Sequence, residues 1–121
     1  MKARIILVED HDGLRRSLSR ALTARGLSVR NFACAEELVK IPNAEIEADC
    51  LLIDVHLSGT SGIELCRMLR ARGLEIPAIC MSTDHREFVR AAALSSGAAA
   101  YMQKPFEIAT VVELIHRILS Q

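Results

Sequence analysis

The sequence predicts an α/β fold: one doubly wound parallel sheet of five strands with five helices. Three observations carry this. Short apolar runs alternate with amphipathic stretches along all 121 residues. Runs such as "ARIILV", "LLIDV" and "IPAIC" are nearly continuous in apolar character, as strands covered on both faces are. Acids, a hydroxyl and a lysine stand where the runs end, and an open α/β sheet keeps its ligand site outside the carboxyl ends of its strands.

Taken in order, "ARIILV" (3–8) is a buried strand. From Gly13 to Arg25, Leu14, Leu18, Ala21 and Leu22 recur at helical spacing, and Gly26 closes that helix. "LSVRNF" (27–32) alternates as an edge strand does, and "AEELVKI" (35–41) is a short helix stopped by Pro42. "DCLLIDV" (49–55) is a central strand. After the loop "HLSGTSG", the segment "IELCRMLRARG" is a helix with Ser61 as N-cap and Gly73 as C-cap. "IPAICMS" (76–82) is the fourth strand. "DHREFVRAAALSSG" is a helix ended by Gly97, "AAAYM" is a short fifth strand, and the last helix runs from Glu107 to Leu119. This alternation forces parallel pairing through right-handed crossovers, with helices on both faces. Nothing along the chain reads as a linker or repeat, so residues 1–121 are expected to form a single domain.

Composition narrows the functional classes. Fifteen basic and fifteen acidic side chains cancel, so no electrostatic footprint predicts binding of nucleic acid or a membrane surface by this domain. The four cysteines are spread evenly, without a C-x-x-C pair or clustered histidines. That spacing suits neither zinc nor a disulfide framework, and it points to small apolar residues in a reducing compartment. No apolar stretch approaches membrane-spanning length, and the expected location is the cytoplasm.

The chemistry gathers at the strand tips. The first strand ends in "VEDHD" and the third at Asp54, so Glu9, Asp10 and Asp54 crowd one cleft. Like charges that close need either raised pKa values or a cation. An oxygen-only donor set suits Mg²⁺ or Mn²⁺. Ser82 ends the fourth strand and Lys104 follows the fifth. A hydroxyl and an ammonium facing a metal-bound carboxylate make a phosphoryl clamp.

These residues resemble a known family. The ordered set "VED", "LLIDVHLSGTSG", "CMST" and "KPF" is similar to the receiver domain of two-component response regulators over essentially the whole chain. The intervals agree as well: 44 residues from Asp10 to Asp54, 28 to Ser82 and 22 to Lys104. The resemblance implies a flavodoxin/CheY-like sheet of order 2-1-3-4-5. It implies Asp54 as phosphoacceptor, taking a phosphoryl group from a histidine kinase or phosphotransfer protein. It also implies Mg²⁺ held by Asp10 and Asp54, with Glu9 acting through water and the His56 backbone carbonyl as a further ligand. Ser82 matches the hydroxyl that moves toward the phosphoryl group, and Tyr101 the aromatic that rotates into the space behind it. Lys104 matches the conserved-type lysine, with a cis bond to Pro105. The output surface is then the fourth helix, fifth strand and fifth helix, with homodimerisation on phosphorylation among its uses. "SGIEL" and "KPF" look most like FixJ-type receivers, which control transcription through an output domain.

Two positions depart from the family pattern. Ser58 stands where Pro is usual, so the loop after Asp54 is expected to be looser. Thr83 stands where Ala or Gly is common, and is expected to narrow the cleft and slow dephosphorylation. His56 and Asp84 stand at positions that flank the cleft mouth in the family and can pair across it, while Arg15, Arg16 and Arg20 decorate the first helix, near which partners dock in the family. Two alternatives compete: an unphosphorylated interaction module, and a Mg²⁺-dependent phosphatase-like enzyme. The second needs a substrate cap or a basic groove, and neither is legible in this compact, neutral chain.

Overall fold

A computed structural model describes residues 2–121. Strands β1 (Arg4–Val8), β2 (Ser28–Phe32), β3 (Cys50–Asp54), β4 (Ala78–Ser82) and β5 (Ala100–Gln103) alternate with helices α1 (Asp12–Ala24), α2 (Ala35–Val39), α3 (Gly62–Ala71), α4 (Glu87–Ser95) and α5 (Ile108–Leu119). One 3₁₀ turn, Asn43–Glu45, precedes β3. The strands pair in parallel in the order β2-β1-β3-β4-β5, as the alternation and the family resemblance predict.

Period-two alternation splits the strand side chains between two apolar layers. Ile5, Leu7, Leu52, Ile79 and Met81 pack under Leu18 and Leu22 of α1 and Val111 and Ile115 of α5. Ile6, Val8, Leu51, Ile53 and Cys80 pack under Leu38 of α2, Leu65 and Leu69 of α3, and Val89 and Ala93 of α4. All five residues of β3 and of β4 are buried, which accounts for their unbroken apolar runs. β2 is an edge strand with only Phe32 fully buried, matching its alternating sequence.

Element ends follow local chemistry. Ser61 caps α3 through a hydrogen bond that its hydroxyl accepts from the Glu64 amide, at 3.1 Å. The cap of α1 is His11, whose Nδ1 accepts from the Leu14 amide at 3.1 Å. Gly73 follows α3 at φ +83°, the left-handed conformation that glycine adopts without a Cβ penalty. The fourth helix starts at Glu87, three residues later than the sequence predicts from Asp84. Asp84 instead accepts from the backbone amide of Arg86 at 3.0 Å, and this local bond competes with helix formation.

Candidate functional site

The order β2-β1-β3-β4-β5 brings the tips of β1, β3, β4 and β5 side by side at the carboxyl edge. Glu9 and Asp10 follow β1, Asp54 ends β3, Ser82 ends β4 and Lys104 follows β5. Register fixes this neighbourhood: Val8 lies opposite Ile53, Asp54 opposite Met81 and Ser82 opposite Gln103. A backbone bond from the Lys104 amide to the Ser82 carbonyl, at 2.8 Å, carries the pairing one step beyond the sheet.

Glu9, Asp10 and Asp54 each offer a carboxylate oxygen, and these atoms lie within 4.8 Å of one another. Glu9 is 1% exposed and Asp54 6%. A buried carboxylate demands a partner, and Lys104 is that partner for both. Its Nζ lies 2.7 Å from Glu9 Oε1 and 3.3 Å from Asp54 Oδ1, with the lysine side chain only 12% exposed. Burial pushes the Glu9 carboxyl above its ordinary value, against the opposing pull of Lys104 and the His11 amide. Asp10 sits at the rim. Burial would raise it, but the Ser58 hydroxyl and amide outweigh that and hold it below its ordinary value. Three hard oxygen donors around one point, without cysteine or histidine nitrogen among them, fit Mg²⁺.

Ser82 is fully buried, and its hydroxyl accepts from the Asp84 amide at 2.9 Å. The half-buried Tyr101 donates its hydroxyl to the carbonyl of the same residue, Asp84, at 2.8 Å. Both predicted moving groups therefore hold the backbone of one loop residue. The Lys104–Pro105 bond is cis, as the resemblance implies. His56 reaches Asp84 only at 4.0 Å, whereas Arg86 grips the Asp84 carboxylate at 2.6 Å. Hydrogen bonding to Arg86 holds the Asp84 carboxyl far below the usual carboxylate range.

The loop that Ser58 is expected to loosen is tied at several points. Ser58 bonds Asp10 through amide and hydroxyl, the Thr60 amide donates to Glu36 of α2 at 2.8 Å, and the Gly62 amide donates to the Val55 carbonyl at 3.0 Å. Sequence reasoning missed Glu36, because it lies 24 residues from its partner in the chain. It also missed Arg15 as part of the site. Arg15 donates to the Glu9 carbonyl at 2.9 Å and to Asp12 at 2.7 Å, which separates it from the exposed Arg16 and Arg20.

Comparison with known proteins agrees with this fold. Residues 5–116 match the family model described as the response regulator receiver domain. The response regulator MprA of Mycobacterium bovis (strain BCG / Pasteur 1173P2) is 30% identical over 119 residues, covering 98% of this chain and 51% of that protein. The chain thus spans about half the length of the curated relatives it matches. The solved structure of FixJ-N is 26% identical with a TM-score of 0.90, covering all of this chain and 96% of that one. A BeF₃-activated DrrB receiver domain is 25% identical with a TM-score of 0.88 over the full length of both chains.

Proposed function

The chain belongs to the response regulator receiver domain family, and from that premise we propose that Asp54 accepts a phosphoryl group from a histidine kinase or phosphotransfer protein. Receiver domains are signalling modules, and the observation that supports Asp54 as the modified residue is the lysine bridge. Lys104 holds Asp54 and the buried Glu9 together at the carboxyl edge of the sheet.

The reaction is an in-line displacement. An Asp54 oxygen bonds phosphorus as the phosphorus–nitrogen bond of a phosphohistidine breaks, and the imidazole nitrogen leaves with the electron pair. Positioning and charge neutralisation supply most of the catalysis. Asp10 and Asp54, with Glu9 through water and the His56 backbone carbonyl, would hold Mg²⁺, which would supply charge neutralisation at the phosphoryl oxygens. Lys104 already stands 3.3 Å from Asp54 and neutralises a further oxygen. Thr83 follows Ser82 and is exposed beside Lys104, Pro105 and Phe106, and on this proposal it slows phosphoryl loss.

Switching runs through Asp84. For the Ser82 hydroxyl to turn toward the phosphoryl group, it must release the Asp84 amide. The same peptide segment anchors Tyr101, so release at one end frees the aromatic at the other. The surface that changes is α4, β5 and α5, which acts in the cytoplasm on an attached or partner output domain controlling transcription, with homodimerisation on phosphorylation as one outcome.

The test is intact mass after incubation with Mg²⁺ and acetyl phosphate. Wild type gains one hydroxylamine-labile phosphoryl group and Asp54→Asn gains none. A wild type that stays unmodified would leave an interaction module only, and equal labelling of Asp54→Asn would place the phosphoacceptor elsewhere.

A further inference from the structure

Two cysteines that the phosphoryl site does not use meet beneath it. Cys66 on α3 and Cys80 on β4 bring their sulfurs to 3.7 Å, with one thiol hydrogen-bonded to the other. They are 3% and 0% exposed, within the apolar layer beneath α2, α3 and α4. Neither remaining cysteine competes for this contact. Cys50 lies in the opposite layer, across the sheet, and Cys34 bonds Glu37 at the start of α2.

The two thiols are inequivalent. The hydrogen bond with Cys80 lowers the Cys66 thiol, against the cost of burial and with smaller help from Ser96 and Arg70. The same contact together with burial pushes the Cys80 thiol up. Access differs in the same sense. Cys66 borders a narrow cleft lined by Arg70 and Gly97 and walled by Leu69, Leu74 and Ala78. Cys80 lies behind it.

We propose that Cys66 and Cys80 form an oxidisable dithiol that a small hydroperoxide converts into an intramolecular disulfide. With hydrogen peroxide as that oxidant, the Cys66 thiolate attacks one peroxide oxygen, the oxygen–oxygen bond breaks, and the departing hydroxide takes the proton that Cys66 gave up, becoming water. Cys66 is then a sulfenic acid. The Cys80 sulfur attacks the Cys66 sulfur, the sulfur–oxygen bond breaks, and the leaving hydroxide takes the Cys80 proton as a second water. Two thiols lose two electrons and the peroxide gains them. The bond requires the sulfurs to close from 3.7 Å to about 2.05 Å.

The bridge sits where it can affect output. Cys80 lies opposite Tyr101 in the β4–β5 register and two residues before Ser82 on the same strand face. A covalent tie there fixes α3 to the strand that carries the proposed moving hydroxyl. That consequence rests on the phosphoacceptor reading; the oxidation does not.

The experiment therefore uses no phosphodonor. Folded chain carrying Cys34→Ser, to remove intermolecular pairing, is treated with hydrogen peroxide, then denatured and alkylated for mass and peptide mapping. The expected product is two hydrogens lighter, contains a linked Cys66–Cys80 peptide and leaves Cys50 alkylatable. Adding Cys80→Ser stops the reaction at a dimedone-reactive Cys66, and adding Cys66→Ser leaves Cys80 unreacted. Glutathione disulfide, too large for the cleft, gives no linkage in the folded chain. The proposal is overturned if Cys66 and Cys80 both remain alkylatable, if another pair links, or if Cys66 accumulates as sulfinic acid with Cys80 present.

Discussion

Ser58 donates twice to one oxygen: its amide at 3.2 Å and its hydroxyl at 3.1 Å both reach Oδ2 of Asp10. A proline here could supply neither donor. The contact makes Ser58 a competitor for a carboxylate that the proposed metal site requires. Each hydrogen bond is worth about 0.5–1.5 kcal/mol net. Ser58→Ala should therefore tighten Mg²⁺ binding about 2- to 10-fold by calorimetric titration. Unchanged or weaker binding would show that the hydroxyl supports the ion site instead.

Lys104 is the counter-charge for the buried Glu9. Removing one partner of a buried pair leaves a charge uncompensated, and Lys104→Met should cost about 3 kcal/mol near neutral pH, the low end for such losses because the cleft is open at one side. Burial already holds the Glu9 carboxyl above its ordinary value. A raised folded-state value favours the protonated form, so its stabilising share is full below the ordinary value and is lost as pH rises through the raised one. Without the ammonium the rise is larger. Urea midpoints should therefore show a small deficit near about pH 4 that grows toward neutrality, whereas a deficit independent of pH would assign the loss to packing of the lysine stem.

Arg86 has the opposite effect on Asp84. The guanidinium at 2.6 Å holds that carboxyl well below the usual range. A depressed folded-state value lends stability above the ordinary carboxylate pKa, and this share is lost as pH falls below it. In Arg86→Ala, the Asp84 carboxyl carbon should titrate closer to its ordinary value by NMR. The fall in stability on acidification should also become shallower. If the titration stays where it was, the Arg86 amide rather than the side chain sets it.

Gly62 opens α3 against the strand that carries Asp54. A Cβ there would collide with the Asp54 carbonyl oxygen and lie 2.9 Å from Ile53 Cγ2. The obstruction is backbone and cannot swing aside, so Gly62→Ala should destabilise by about 1–3 kcal/mol in denaturant unfolding. Gly13→Ala, in the first turn of α1 and no closer than 3.4 Å to His11, is the control. It should be neutral or stabilising by up to about 1 kcal/mol. Equal effects at the two positions would remove the close-approach explanation.

Much of this protein is local and periodic, and that part is legible in the sequence. Continuous apolar runs mean strands buried on both faces, and alternating runs with helical spacing mean parallel crossovers. The polar residues at the run ends, Glu9, Asp10, Asp54, Ser82 and Lys104, then meet at one edge because parallel strands all point the same way. What spacing cannot encode is which oxygen a flexible side chain reaches once the chain has folded. The lysine bridges Glu9 as well as Asp54, Ser58 closes on Asp10, and Arg86 takes Asp84 ahead of His56. Glu36 ties down Thr60, and Cys66 meets Cys80, although the even spread of cysteines suggested no pair. These contacts depend on helix packing angles and side-chain reach across elements, and they form only when the layers close on the sheet.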